Sequence, residues 1–155
     1  MKIFFGILII VLSTIIGYLF SLKYTERRCF FEDFNSVVFK LKNEITFTQR
    51  PVIDVINSTV KNDSDILIIY NSFVQNKINY TDNLKYLSSN EKNFVFDFLS
   101  SIGIGDVTSQ SKLVDVAISE SSSFLKQAID DEKKYKTLFI KLGLLIGVTL
   151  FVLII

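Results

Sequence analysis

Hydrophobic residues are concentrated at the two ends of the chain. From Ile3 to Phe20, eighteen consecutive positions carry no charge, and a second apolar stretch runs from Leu138 to Ile155 with Lys141 as its one charged residue. A helix of that length is about 27 Å long, which is close to the thickness of the bilayer hydrocarbon. The pattern therefore predicts one membrane-spanning helix at each end.

The two apolar ends differ in length and in their flanking residues. A cleaved signal peptide has a shorter apolar core and a small-residue cleavage site, which the residues from Ser21 to Tyr24 do not provide. The N-terminal stretch is therefore expected to be a retained anchor. At the other end, Lys141 can extend to the headgroups, but only fourteen residues follow it from Leu142 to Ile155. Such a short span needs local thinning of the bilayer or a partner helix.

Between the two ends, apolar residues recur every three or four positions, as in amphipathic helices, and the phenylalanines are spaced as core residues. The predicted elements are, in order, a helix over 30–45, a helix after Pro51, a helix capped by Ser64, a short segment around Leu84 and Leu87, and a helix from Ser89 to Gly103. The apolar positions of the third element are Leu67, Tyr70, Phe73 and Val74. Its β-branched Ile66, Ile68 and Ile69 leave a strand as the alternative, but a helix is favoured because the neighbouring segments are helical.

The last part of the chain predicts one long helix. From Ser109 into the second span the apolar pattern continues without glycine or proline, and a helix from Ser109 to Ile155 would be about 70 Å long. The predicted fold is therefore all-α. It is a compact helical bundle of about five to six helices between two transmembrane helices, with the last helix continuous with the C-terminal span.

Charge beside the spans predicts the orientation of the chain. The basic residues next to the middle segment are Lys23, Arg27, Arg28, Lys133, Lys134, Lys136 and Lys141, against Lys2 alone on the other side. By the positive-inside rule, the middle segment faces the cytoplasm and both termini face away from it. The predicted boundaries are 1–22 for the N-terminal transmembrane helix, 23–137 for the cytoplasmic helical bundle domain and 138–155 for the C-terminal transmembrane helix.

The composition of the middle segment argues against several classes of function. Fifteen basic and sixteen acidic residues give it a net charge of −1, and its basic residues are scattered, which argues against nucleic acid as a partner. The sequence has no histidine and one cysteine. An intrachain disulfide, the usual metal sites and histidine-based triads are therefore excluded. The single cysteine, Cys29, is expected to be a buried thiol.

Two segments contain residue types that enzymes use. The carboxylates of Asp130–Glu132 are consecutive and point in different directions, so this run is interpreted as a solvated helix face. Gly103-Ile104-Gly105 lacks the later glycine of a dinucleotide fingerprint and the lysine of a P-loop. It is interpreted as a helix stop and restart, in which Asp106 caps the next helix and Gln110 lies one turn further on. The chain is therefore predicted to be no enzyme and to bind no cofactor or metal.

Small residues are spaced at four positions in both apolar stretches. Gly143 and Gly147 form a Gly-x-x-x-Gly pair, and Ser13 with Gly17 repeats the spacing in the first span. Such residues allow helix backbones to approach closely in a membrane. Because glycine is common in membrane helices, a packing face and a lipid-facing position are both open.

Four stretches of the sequence carry a family resemblance. They are Tyr24-Thr25-Glu26-Arg27, Glu44-Ile45-Thr46-Phe47 with Pro51, Gly103 to Asp106 with Gln110, and Lys134-Tyr135 leading into Leu142-Gly143-Leu144-Leu145-Ile146-Gly147. In this order the chain resembles the stage III sporulation protein AB family of endospore-forming bacteria, whose members place a helical domain between two membrane helices. The resemblance covers essentially the whole chain. A tryptophan expected before the short fourth helix is absent, with Asn79-Tyr80-Thr81 in its place.

The resemblance implies a component of the channel complex between mother cell and forespore, embedded in the mother-cell membrane. Its domain would be similar to the cytoplasmic domain of the type II secretion F protein, and its role would be a noncatalytic scaffold. The implied partners are a secretion-type ATPase, other channel-complex membrane proteins and the lipid bilayer, and a homo-oligomer is also open. The residues predicted to bind partners are Glu26, Arg27, Gly103, Gly105, Asp106, Gln110, Gly143 and Gly147. A membrane-anchored sensor or signalling adaptor is the alternative function.

Overall fold

The computed structural model of the chain describes residues 2–47, 51–61, 64–75 and 84–154. Within those ranges the backbone forms five α-helices and no strand. The helices are α1 (Lys2–Phe47), α2 (Val52–Asn57), α3 (Asp65–Val74), α4 (Ser89–Ser101) and α5 (Val107–Ile154). The predicted all-α fold is confirmed, and the strand alternative for the third element is excluded.

Contacts divide the chain into two compact units. The terminal unit consists of Met1–Arg28 and Gln127–Ile155, and the central unit consists of Cys29–Lys126. Helices α1 and α5 contribute a segment to each unit, whereas α2, α3 and α4 belong to the central unit. The residues predicted to bind partners are therefore distributed over both units.

Both long helices are continuous where the sequence changes from apolar to charged. Helix α1 joins the apolar stretch that ends at Phe20 to the amphipathic segment over 30–45, because the residues between them include neither glycine nor proline. Helix α5 begins at Val107, slightly before the predicted start, and continues to Ile154. The predicted continuity of the last helix with the C-terminal apolar stretch is confirmed.

The core of the central unit is a cluster of aromatic side chains. Phe34 of α1 packs edge-on against Phe98 of α4, with ring centroids 5.4 Å apart. Phe31 of α1 stacks on Phe124 of α5 at 5.3 Å. Aromatic pairs in such arrangements contribute about 1 kcal/mol beyond the burial of their area. The phenylalanines predicted as core residues thus join α1, α4 and α5.

Short polar side chains fix the starts of two helices in the central unit. Ser88 Oγ accepts a hydrogen bond from the Glu91 backbone N–H at 3.4 Å, and the Ser88 N–H donates to Glu91 Oε2 at 2.7 Å. This reciprocal capping box begins α4. Asp106 Oδ2 accepts a hydrogen bond from the Thr108 N–H at 3.2 Å, which confirms the predicted capping role of Asp106.

Helix α3 differs from the prediction in its cap and in its buried face. Ser64 is the N-cap residue but makes no side-chain cap bond, because its hydroxyl donates to Asp33 Oδ2 of α1 at 2.9 Å. The buried residues are Ile66 and Ile69, whereas Val74, one of the predicted apolar positions, is exposed. Packing against other parts of the chain, such as α2, decides which side of this apolar helix faces inward, and the local pattern does not contain that information.

Two further predictions are corrected. The short segment around Leu84 and Leu87, which the family resemblance treats as a short fourth helix, forms a turn instead. A hydrogen bond from the Leu87 N–H to the Leu84 carbonyl at 3.1 Å closes it. Cys29, expected to be buried, is exposed, because Phe30 and Phe31 take the buried positions of that helical turn. The Asn79-Tyr80-Thr81 departure from the family lies outside the described residues.

Candidate functional site

The apolar parts of α1 and α5 pack against each other in the terminal unit through small residues. A Cβ atom added to Gly143 would lie 2.7 Å from the Ser13 carbonyl oxygen, and one added to Gly17 would lie 2.4 Å from the Phe139 carbonyl oxygen. One added to Gly147 would also meet the α1 backbone, at 2.8 Å. Only glycine permits such close approach. The Gly-x-x-x-Gly pair is therefore a packing face within the chain, which decides between the two interpretations that the sequence leaves open.

Hydroxyl groups in this helix pair are hydrogen-bonded within it. Ser13 Oγ donates across the interface to the Gly143 carbonyl oxygen. Thr14 Oγ1 donates to the Ile10 carbonyl oxygen, one turn earlier in α1, at 2.8 Å. A polar group without a partner in hydrocarbon costs several kcal/mol, so these bonds suit the pair to a lipid environment.

The outer surface of the helix pair is apolar. Among the described residues, α1 and α5 are the two helices long and apolar enough to cross a membrane. Many of their large apolar side chains are half exposed or more, among them Phe5, Leu12, Ile16, Leu145 and Leu153. An exposed apolar surface of this extent is expected in contact with lipid and not with water.

Beyond the apolar part, the two helices are joined by an ionic cluster, which consists of Arg27, Arg28, Asp131, Glu132 and Lys136. Arg27 Nη1 lies 2.5 Å from Asp131 Oδ2, and this arginine side chain is 15% exposed. Arg28 Nε lies 2.5 Å from Glu132 Oε2. Lys136 Nζ lies 3.3 Å from Glu132 Oε1, one turn along α5. Because Arg28 and Glu132 are both partly shielded from water, their attraction exceeds that of an exposed ion pair.

Neighbouring side chains support the ionic cluster. Thr25 Oγ1 donates to Glu132 Oε1 at 2.8 Å, so Glu132, which is 14% exposed, contacts three donor groups. The rings of Tyr24 and Tyr135 stack next to it with centroids 4.8 Å apart. A hydrogen-bonded carboxylate beside stacked rings holds the two helices in one register at this level.

Ionisation of Glu132 is coupled to folding. Burial opposes the charged form, but hydrogen bonds from Thr25 and Lys136 and the charge of Arg28 hold the pKa of Glu132 below its usual range. The ionised carboxylate therefore stabilises the fold fully above the unfolded pKa of about 4.3, and this contribution is lost as the pH falls through the lower folded pKa.

We expect the E132Q variant to lose less stability than the wild type when the pH is lowered from about 5 to about 3. The reason is that only the wild type must protonate a carboxylate that prefers its ionised form in the folded state. The measurement is the urea midpoint of each protein in detergent micelles at several pH values. Equal losses in the two proteins would contradict this coupling.

The ionic cluster changes two interpretations made from the sequence. The sequence predicts a solvated face for the acidic run, but Asp131 and Glu132 pair with arginines of α1, whereas Asp130 is exposed. Arg27, a predicted partner contact, already pairs with Asp131, whereas its neighbour Glu26 is exposed. The sequence signal for this cluster is a pair of adjacent basic residues, Arg27 and Arg28, after the first span and a pair of adjacent acidic residues, Asp131 and Glu132, before the second.

The turn between α4 and α5 lies in the central unit and is organised by Gln110, which is 8% exposed. Gly103 and Gly105 have φ angles of +86° and +103°, a region that glycine adopts without strain. Gln110 Oε1 accepts a hydrogen bond from the Gly103 N–H at 2.8 Å. Its Nε2 donates to the carbonyl oxygens of Ser101, at 3.2 Å, and Ile104. The predicted helix stop and restart is confirmed, and its four predicted residues lie together.

The surface of this turn combines an apolar side chain with a carboxylate. Ile104 is 70% exposed at the tip of the turn. Asp106 is also exposed, and a hydrogen bond from the Ser109 hydroxyl is the main cause that holds the pKa of Asp106 below its usual range. The turn therefore presents an ionised carboxylate close to an exposed isoleucine, a combination that suits contact with another protein.

Replacing Gln110 with leucine is expected to destabilise the protein by about 1–2 kcal/mol. Leucine has a similar size, but it leaves the Gly103 N–H and two carbonyl groups without their side-chain partner. The measurement is urea unfolding of the full chain in micelles. The control is Lys112→Ala, an exposed position two residues further along α5, which should change stability by less than about 0.5 kcal/mol. If both variants behave alike, Gln110 does not organise the turn.

The ionic cluster and the turn around Gln110 both hold helices in position. Within the described ranges, no group of three or more His, Cys, Asp or Glu side chains is placed to hold a metal ion. The polar atoms of the ionic cluster bond across two helices, and those of Gln110 bond to backbone groups. Both arrangements fix the positions of helices.

The family comparison agrees with this architecture. The family model described as stage III sporulation protein AB matches residues 2–67 and 68–155. Comparisons with curated proteins and with solved structures find no match. The family match and the two long apolar helices together indicate a sporulation protein of the membrane. Because the match extends over essentially the whole sequence, the chain belongs to the stage III sporulation protein AB family.

Proposed function

We propose that the chain is a noncatalytic membrane scaffold of the channel complex between mother cell and forespore, where it couples a secretion-type ATPase to membrane channel parts. The observation that carries the proposal is that the helix pair of the terminal unit is joined at two levels. In the apolar part the backbones meet at Gly17 and Gly143, and beyond it Arg28 pairs with Glu132. A pair held at both levels is a stiff anchor and not two independent tethers, which is what a scaffold needs.

The charge pattern supports the direction in which this scaffold faces. Basic residues lie on the inner side of both apolar stretches, so the segment 23–137 is proposed to be the cytoplasmic domain between spans 1–22 and 138–155. A cytoplasmic ATPase can reach a domain on that side. Membership of the sporulation family supports the mother-cell membrane as the location.

The predicted contact residues differ in how well they are placed to touch a partner. Glu26 and Asp106 are exposed, and Ile104 next to Asp106 adds apolar surface. Gly143 is buried against α1, and Gly147 and Arg27 also make contacts within the chain. We therefore assign direct contact to Glu26 and to the turn that contains Asp106, and an anchoring role to the others.

The orientation is tested with the single cysteine of the sequence. Cys29 is exposed on α1, at the start of the central unit. A membrane-impermeant maleimide should leave Cys29 unlabelled in intact protoplasts and label it once the membrane is opened. The C29S variant controls for labelling of other proteins. Labelling in intact protoplasts would contradict a cytoplasmic central unit.

The scaffold role is tested in sporulating cells that lack the chromosomal copy. The wild-type chain should restore heat-resistant spores and should copurify with a secretion-type ATPase. The double variant E26Q/D106N removes both charges but keeps a capping side chain at position 106, so it should fold normally but recover less of the ATPase. D130N, which removes one exposed charge elsewhere, should recover as much as the wild type. Normal spore numbers in the deletion strain would contradict the sporulation role. Failure of the ATPase to copurify with the wild-type chain would contradict the coupling.

An experiment in the same cells distinguishes a scaffold from a sensor. A sensor should change its protease sensitivity or its label accessibility when sporulation medium replaces growth medium, because its domain must adopt two states. A scaffold should give one pattern under both conditions. A condition-dependent pattern with no ATPase bound would favour the sensor.

A further inference from the structure

A groove of about 600 Å³ lies between α4 and α5 in the central unit. Its floor is aromatic, since Phe94 of α4 and Phe124 of α5 lie with ring centroids 5.4 Å apart and both are half-buried. Its apolar wall includes Val116, which is 57% exposed. Aromatic and aliphatic side chains that remain accessible in a groove are the usual anchors of a protein interface.

The rim of this groove is acidic. Asp97 on α4 and Glu120 on α5 line it, and no lining residue is basic. Neither carboxylate forms an ion pair with any residue in the described part of the chain. By contrast, Asp115, beside Val116 in the sequence, is neutralised by Lys42 Nζ at 2.7 Å. The negative charge of the rim is therefore available to an external cation.

We infer that this groove binds an amphipathic helix of a partner protein. The apolar side chains of that helix would contact Phe94 and Phe124, and its lysine or arginine side chains would pair with Asp97 and Glu120. The inference rests on the proposed scaffold function, because a scaffold needs an attachment surface for other components. Charge complementarity selects the occupant, since an acidic helix or a phosphate group would be repelled at this rim.

The dimensions of the groove suit a helix. The lining residues of α4 extend from Asn90 to Ser101 at helical spacing, a distance of about 16 Å along the axis. That length accommodates about three turns of a partner helix, whose apolar residues at every third or fourth position would lie along the floor. Basic residues on both sides of that apolar stripe would then face the two rim carboxylates.

The test uses the full chain in neutral maltoside micelles and two fluorescent peptides of about eighteen residues, a length sufficient for helix formation. Both peptides carry leucines on one face; one carries lysines on the flanks and the other glutamates. Fluorescence anisotropy should show binding of the lysine peptide, with weakening as salt is raised, and at least tenfold weaker binding of the glutamate peptide. Equal binding of the two peptides would overturn the inference.

Variants locate the binding in the groove. D97N/E120Q should weaken binding of the lysine peptide about tenfold, since two ion pairs are lost. V116S, a change at an exposed position, should weaken it about threefold by removing apolar contact. The matched control D54N/D130N removes two exposed charges outside the groove and should bind as the wild type does. If the control and D97N/E120Q weaken binding equally, the peptide responds to net charge and the inference fails.

Two further readouts separate this inference from other outcomes. The first is the oligomeric state of the chain. If V116S converts a dimer to a monomer and the lysine peptide does not compete with dimerisation, the groove is occupied by a second copy of the chain and the inference fails. Spore formation is scored separately in the deletion strain. If the wild type restores spores and the lysine peptide does not bind, the scaffold proposal survives and the groove inference does not.

Discussion

Replacing Gly143 with leucine is expected to separate the two membrane helices and to lower the stability of the protein by about 3 kcal/mol or more. Even the first carbon of the new side chain would lie 2.7 Å from the Ser13 carbonyl oxygen and 3.3 Å from the Gly17 Cα. Both are backbone atoms, so no side-chain rotation relieves the clash. The Ser13 hydroxyl would also lose its acceptor on α5. The measurement is the unfolding midpoint in micelles together with the amount of protein retained in the membrane.

A second glycine in the same unit provides the matched control. A Cβ atom added to Gly6 would meet the ring of Phe151 at 2.0 Å, but that ring is the end of a flexible side chain and can rotate away. We therefore expect Gly6→Ala to cost less than about 1 kcal/mol of stability. Gly143→Ala should cost more, because its Cβ atom forces the α1 backbone to move. If both alanine variants are equally stable, the close approach at Gly143 does not hold the helices together.

Replacing Glu132 with alanine is expected to destabilise the folded protein by about 2 kcal/mol. The carboxylate pairs with Arg28 and Lys136 and accepts a hydrogen bond from Thr25, and its removal abolishes these three interactions, one of them with a partly buried arginine. The value is below that for a fully buried pair because the side chain of Arg28 remains 27% exposed. The measurement is urea unfolding in micelles near neutral pH.

The adjacent Asp130 provides the control for this prediction. Asp130→Ala removes the same kind of charge from the same helix at an exposed position, so its effect should stay within about 0.5 kcal/mol. The double variant R28A/E132A should be more stable than the sum of the two single losses predicts, because the interaction between Arg28 and Glu132 is counted in both single losses but is lost only once. Additive losses would contradict a direct interaction between Arg28 and Glu132.

The features that the sequence predicts well are those encoded locally. The absence of charge from Ile3 to Phe20 and the uninterrupted pattern after Ser109 each predict a long helix, because helical propensity and hydrophobic spacing act over neighbouring residues. The helix stop at Gly103 is predicted for the same reason. A glycine with positive φ after an apolar helix, followed by a capping aspartate, is a signal contained within a few residues.

The features that the sequence does not predict depend on pairing across long separations. Arg27 and Asp131 are 104 positions apart, and the sequence contains no rule that selects this pairing from the many basic and acidic residues available. The choice of Ile66 over Val74 as a buried residue has the same origin, since α3 is apolar on several sides and packing selects one of them. The groove between α4 and α5 likewise exists only once the two helices are neighbours.

A nitroxide attached to Cys29 would count the copies of this protein in an assembly. The sequence holds one cysteine, so each chain would carry one label, and every dipolar coupling between labels would arise from two different chains. The depth of the modulation in a pulsed resonance experiment would then give the number of neighbouring chains, and its frequency their spacing. The exposed thiol thus makes stoichiometry measurable on the native sequence, without any introduced residue.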